Sequence, residues 1–430
     1  MAFANDSLIH FLFGDVFTRP FPTLLWQLAV VVAAAGLCGR LSRRLGQPAV
    51  IGEMAAGILL GPSLLGHFLP GLEAFLFPPA SLGTLNLLSQ VGIILFMFSV
   101  GMEIDLGALR KHAKVALFVS NAGIVLPFLF GMAAAYFLFR DYAPAGARFM
   151  PFALFMGIAM SITAFPVLAR LIEERGLGTT LLGTTAMACA AVDDVTAWTL
   201  LALVIAVARA QSPLSALPVA AMAFAFTLAM LFLVRPMAAR WMARSGNPER
   251  PGRGTASLVL ICVFLSSLAT EAIGIHSLFG AFLAGAVMPP LRPFRAFLKE
   301  RLEYSASLFL LPVFFASTGL RVRVDVMDRG ADWIVFAGLM ALAVAGKLGG
   351  VSLAARLTGT PWRNAFALGA LMNTRGLMEL IVLNVGLDLG ILPPRIFTMM
   401  VLVALATTAM TGPMLAWLKV GRPGPRLEPL

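Results

Sequence analysis

The sequence predicts an all-α polytopic membrane protein of about 13 transmembrane helices, built as inverted repeats with two discontinuous crossing helices. Three observations carry this expectation. Of the 430 residues, 59% are hydrophobic and 12% charged, and the mean hydropathy of +0.90 is far from that of a soluble domain. Runs long enough to cross a bilayer follow one another along the chain. Two of them, seven spans apart, carry polar breaks where lipid-facing residues would be apolar.

Apolar runs bounded by charge, Pro or Gly lie near 23–40, 47–67, 84–102, 115–139, 149–172, 179–208 and 213–234. The remainder lie near 255–273, 275–291, 302–320, 332–355, 364–387 and 396–418. The boundary between the eighth and ninth is marked only by Glu271 and Gly274. Alternate loops carry 22 Lys and Arg on one side and 8 on the other, which puts the C-terminus in the cytoplasm and the N-terminus outside. That arrangement requires an odd number of spans. The net charge of +11 therefore reflects orientation in the bilayer and does not point to nucleic acid. The basic loop near 235–254 reads as a cytoplasmic linker beside anionic headgroups. No cleavable signal peptide and no soluble domain after the last span are expected, and a bacterial inner membrane is the expected location. Cys38, Cys189 and Cys262 stand in apolar segments at no metal-ligand spacing, so neither a disulfide framework nor a resident metal or other cofactor is expected.

The chemistry concentrates at membrane depth. Asp193 and Asp194 lie near the middle of the sixth run, where each ionised acid costs on the order of 3 kcal/mol, so the pair is a functional candidate. Lys347 lies near the middle of the eleventh run. A buried ammonium keeps its charge only opposite a carboxylate, so Lys347 is expected to pair with one aspartate while the other faces water and binds a cation. Adjacent helical residues point about 100° apart, which permits that division. Arg375 and Glu379, four apart on the twelfth run, are expected to neutralise each other as a structural pair. The four histidines fall near interfaces and are not expected to relay protons.

The breaks are Ser161-Ile162-Thr163-Ala164-Phe165-Pro166 in the fifth run and Asn373-Thr374-Arg375-Gly376 in the twelfth. Pro166 removes a backbone donor and frees carbonyls in the turn before it. Seven is odd, so the fifth and twelfth spans cross the membrane in opposite directions, as an inverted repeat requires. Broken helices at corresponding positions of two halves mark a transport site. Two other readings are weaker. An intramembrane aspartyl protease needs its acids on different helices facing one water, and a passive cation channel needs a repeated filter.

Six segments together resemble the monovalent cation:proton antiporter-2 family, nearest to the plant-type cation/H+ exchangers and their bacterial relatives. They are QPAVIGEMAAGILLGPSLLG at 47–66, SITAFPVLARLIEERG at 161–176, AAVDDVTAW at 190–198, IGIHSLFGAFLAGAVMP at 273–289, FFASTGLRV at 314–322 and NTRGLMELIVLNVG at 373–386. The resemblance implies a sodium/proton antiporter-like fold and a homodimer exchanging H+ for Na+ or K+ by alternating access. Residues 112–210 and 331–420 would form two inverted core repeats, and 1–111 and 255–330 the scaffold that carries the dimer contact. A linker helix and basic loop would occupy 211–254, and a short cytoplasmic tail 421–430. Asp194 matches the acid that binds the transported cation, and Asp193 the acid paired with the lysine at Lys347. Ser161 and Thr163 match the polar break. Two aspartates with a lysine are associated with electrogenic exchange in the family. At the first break Ile162 and Thr163 stand where some sodium antiporters carry an acid, which leaves open how the half-helix dipoles are balanced. The expected mechanism is competition, with protons and the cation holding one acidic site in turn.

Overall fold

A computed structural model describes residues 19–103, 106–209, 213–244, 253–289, 291–298, 300–301 and 310–420. All regular structure among these residues is helical. Ten helices are long and apolar enough to cross a bilayer, or eleven when the bent pair Trp362–Met372 and Leu377–Asp388 counts as one span. These correspond in order to eleven of the expected runs. The ninth run yields only the ten-residue helix Ser277–Ala286, about half the length a bilayer requires. The tenth run yields Leu311–Leu320, and its first part, 302–309, lies outside the described residues. The same holds for 245–252 of the basic loop and for the tail 421–430.

The faint boundary between the eighth and ninth runs has a local cause. The helix from Arg253 ends at Ile273, and Gly274 follows at φ +98°, a conformation that only glycine adopts without steric cost. His276 then caps the next helix, its ring nitrogen accepting from Leu278 N–H.

The chain divides into two compact units, residues 1–96 with 304–330 and residues 97–303 with 331–430. In the first, glycine lets backbones touch: a Cβ on Gly57 would lie 2.1 Å from the carbonyl oxygen of Ala316. Val31, Leu76, Phe77, Leu85, Val313, Ala316 and Leu320 fill the core beside that contact. Ser63 stitches the end of the unit, its Oγ donating to Val322 O at 2.7 Å and accepting from Val324 N–H at 2.8 Å.

The second unit is built on the long helix Leu106–Tyr142, which packs against Phe149–Ser161, Leu181–Arg209 and the stretch 345–357. Close approach again depends on small residues, as expected where lipid offers no hydrophobic drive between helices. A Cβ on Gly131 would stand 2.5 Å from Met156 O, and one on Gly346 3.0 Å from Pro127 Cα. Residues Ala345–Gly349 form a single π turn between the α-helices Gly330–Val344 and Gly350–Leu357. Such turns recur at functional sites because the extra residue redirects a side chain, and here that residue set contains Lys347.

Gly57→Ala is expected to destabilise the protein by about 1–3 kcal/mol, because backbone atoms cannot yield to the new methyl as a flexible side chain would. Gly83→Ala, whose Cβ would meet nothing within 4 Å, is expected to leave stability equal or slightly raised. Thermal unfolding of the two variants in detergent checks the contrast.

Candidate functional site

Helix Leu181–Arg209 carries Asp193 and Asp194, each 1% exposed. Asp193 is held from three directions. Ser120 Oγ on helix Leu106–Tyr142 donates to Oδ1, while Oδ2 lies 2.8 Å from Lys347 Nζ and 2.7 Å from Thr163 Oγ1. Lys347 Nζ also donates to the carbonyl of Ser161 at 2.6 Å. A buried ion pair is tolerated only when both partners have further hydrogen bonds, and this pair has them. Ser120 escaped the sequence reading, although a polar Ser120-Asn121 pair inside a run of Ala, Leu, Phe and Val was the signal for it.

The sequence leads one to expect that the second acid faces water. The structure differs: Asp194 is sealed along with Asp193 in this conformation, on a helix buried from Cys189 to Asp194. One turn beyond Asp194 the indole of Trp198, 1% exposed, lies against Phe282 with ring centroids 5.9 Å apart. Bulky rings therefore close the helix surface on that side of the acids.

The two breaks meet. Helix Phe149–Ser161 stops at Ile162, and the second half begins at Phe165 with Pro166 in its first turn, where a missing N–H costs nothing. The helix Trp362–Met372 stops at Asn373 and resumes at Leu377, with a 42° bend. Across the gap Ala164 N–H donates to Thr374 O at 2.9 Å, and Thr163 Oγ1 lies 2.9 Å from Met372 O. Thr163 has one hydroxyl proton and two acceptors in reach, Met372 O and Asp193 Oδ2, so it can serve either. Helix Pro394–Trp417 supplies further partners. Arg375 N–H donates to Thr408 Oγ1 at 3.0 Å, the same hydroxyl has Arg375 O and, one turn back, Ala404 O as alternative acceptors, and Thr374 Oγ1 reaches Thr411 Oγ1 at 3.3 Å. These threonines were also missed. Their signal was Thr407, Thr408 and Thr411 at helical spacing in an otherwise apolar span.

Two of the four half-helix ends find counter-charges. At the C-terminal end of Phe149–Ser161 the carbonyls carry partial negative charge. Arg375 donates to Ala159 O at 3.0 Å and to Met160 O at 2.7 Å, and Lys347 takes Ser161 O. Arg375 also meets Glu379 at 3.2 Å, both wholly buried, and Glu379 sits in the first turn of Leu377–Asp388, where negative charge is favoured. Arginine from one break thus caps the half-helix of the other. Ser161 Oγ turns back to Ile158 O at 3.0 Å. The side chain of Asn373 is fully buried, and neither amide atom has a hydrogen-bond partner in the protein. Among the described residues no group of three or more His, Cys, Asp or Glu is arranged to hold a metal ion. The polar centre is one of ion pairs, hydroxyls and helix ends.

Comparison with known proteins agrees with this architecture. The profile of the family described as "Sodium/hydrogen exchanger, transmembrane" matches residues 29–420. The chain is 44% identical over 392 residues to the Na(+)/H(+) antiporter NhaS4 of Synechocystis, covering 91% of this chain and 96% of that protein. It is 40% identical to cation/H(+) antiporter 20 of Arabidopsis thaliana and 35% identical to K(+)/H(+) antiporter 1 of Saccharomyces cerevisiae. Those alignments cover 91% and 92% of this chain but only 48% and 46% of the relatives, so the chain spans about half of each. The solved sodium proton antiporter MjNhaP1 of Methanocaldococcus jannaschii shares the fold at a TM-score of 0.66 and 13% identity, over 92% of this chain and 97% of that one. The chain therefore belongs to the transmembrane sodium/hydrogen exchanger family, a family of membrane transporters and not of enzymes.

Proposed function

We propose that this protein exchanges protons for Na+ or K+ across the membrane by alternating access, and that the exchange moves net charge. The observation that carries the reading is a sealed acid pair at the crossing of two broken helices, one acid bound to a buried lysine. Relatives named as Na(+)/H(+) and K(+)/H(+) antiporters support it.

Asp194 is the acid that takes a proton or the cation in turn, and Asp193 the acid whose charge Lys347 balances. Because one site serves both ions, the loading of one requires the release of the other, and coupling follows without a separate gate. When two protons exchange for one cation, each cycle moves one net charge, which couples to the membrane potential by about 2.3 kcal/mol per 100 mV. The sealed position of Asp194 corresponds to the occluded step through which a carrier passes. The segments 112–210 and 331–420 would move as the core against scaffold segments 1–111 and 255–330, in a homodimer with the N-terminus outside and the C-terminus in the cytoplasm of a bacterial inner membrane.

In proteoliposomes, Asp194→Asn is expected to abolish proton flux driven by Na+ or K+ gradients while the protein still folds. Cation-driven flux in that variant would refute the assignment, and wild-type flux that needs no counter-ion would instead indicate a pore. Wild-type flux is further expected to accelerate when a membrane voltage is imposed, and indifference to voltage would mean electroneutral exchange.

Lys347→Ala leaves a buried carboxylate without its partner and is expected to destabilise by about 3–5 kcal/mol. The double variant Asp193→Asn/Lys347→Met removes both charges and should unfold at a higher temperature than Lys347→Ala alone. Equal losses in the single and double variants would mean that the pair contributes no coupling.

A further inference from the structure

Around the second break every polar side chain but one has at least one partner, although Arg375 Nε and Glu379 Oε1 are themselves unpaired. Met372 O faces Thr163, Thr374 O receives Ala164 N–H, the backbone of Arg375 is served by Thr408, and Thr374 Oγ1 by Thr411. Asn373 stands among them and differs. Its backbone N–H closes the helix on Gly369 O at 2.9 Å, but its side chain is 0% exposed with Oδ1 and Nδ2 both unpartnered. A carboxamide can make four hydrogen bonds, and burying one with none made is among the costliest things a protein interior can do. A leucine would fill a similar volume without that cost. A polar group kept under such conditions calls for an explanation other than packing.

Its position suggests one. Asn373 directly follows Met372, whose carbonyl lies 2.9 Å from Thr163 Oγ1, and that hydroxyl lies 2.7 Å from Asp193 Oδ2. The amide is thus attached at the point where the second break meets the acid pair. The two ions proposed to share this site differ in what they need. A proton is satisfied by one carboxylate oxygen, whereas an alkali cation leaving water must replace several oxygen ligands, and neutral carbonyl oxygens suit such hard cations. An unpartnered carbonyl oxygen on the residue that follows Met372, in the break that reaches Asp193 through Thr163, would serve the cation and be irrelevant to the proton.

We infer that the Asn373 carboxamide oxygen is a neutral ligand of the transported alkali cation and helps set which cation is preferred. This rests on the exchange reading above and adds to it a specificity-determining residue. The consequence is a separation of affinities: Asn373 acts on cation binding and leaves the protonation of the acidic site alone.

The test uses the full chain in liposomes and in detergent, with Na+, K+ and Li+ as probes. Asn373→Ala is expected to raise the apparent KM for the preferred cation about tenfold, the loss of one ligand bond to a charged species. The pH midpoint of flux, read with cation at the same multiple of each variant's own KM so that competition is equal, stays where it is in the wild type. Asn373→Ser, with a shorter oxygen ligand, is expected to change the ratio of KM values among the three cations. Asn373→Leu supplies the readout that a merely structural asparagine would not give. It should unfold at an equal or higher temperature without alkali cation, yet lose the rise in Tm that added cation produces in the wild type. An unchanged KM in Asn373→Ala overturns the inference, as does a KM rise matched by an equal shift of the pH midpoint. A cation-dependent Tm rise that persists in Asn373→Leu overturns it as well. Absence of cation-driven proton flux in the wild type would defeat the exchange reading itself, whereas wild-type flux with an unaltered Asn373→Ala variant defeats only the present step.

Discussion

An ammonium and a carboxylate 2.8 Å apart with essentially no exposure to solvent, Lys347 against Asp193, constrain everything around them. Desolvating two charges is costly, and their attraction offsets the cost only with good geometry and further hydrogen bonds. Those bonds come from Ser120 on one helix, Thr163 in the first break and the Ser161 carbonyl at a half-helix end. Four separate segments of chain are therefore fixed by two side chains. Gly123 serves the same demand: a Cβ there would lie 2.7 Å from Val351 Cγ2, which would have to shift for the two helices to stay packed beside the lysine.

The breaks obey a second constraint, that irregular backbone at membrane depth must be satisfied within the protein. Here each break supplies part of what the other lacks. Ala164 N–H finds Thr374 O, while Arg375 reaches back to Ala159 O and Met160 O. Helix Pro394–Trp417 contributes Thr408 and Thr411 as a polar stripe facing the crossing. The midplane thus has positive side chains on one negative helix end and Glu379 at a positive one.

The comparisons illustrate how much of this is pattern and how much is detail. MjNhaP1 has the fold at 13% identity, which is possible because spanning length, polar breaks and small residues at helix contacts leave most side chains free to vary.

The sequence by itself determined the helical membrane class, the order of the spans, the two breaks and the short roll of charges that must meet inside. Each of these follows from a strong one-dimensional rule: a long apolar run has to span, and a charge within one has to find a partner. It left open the number of full-length spans, since a ten-residue helix such as Ser277–Ala286 and a run of 17 look alike when hydropathy is continuous. The residues alone left open which aspartate Lys347 meets, and the resemblance implied Asp193; only the tertiary structure decided that Arg375 caps the opposite half-helix as well as facing Glu379, and that Ser120 reaches Asp193 and Thr408 the backbone of Arg375. A lone serine or threonine in an apolar helix most often bonds its own backbone one turn back, as Thr407 does to Val403 O. Which hydroxyls instead reach across to a neighbour depends on how the helices are rotated against one another, and that rotation is set by the packing of glycines and ion pairs far apart in the chain.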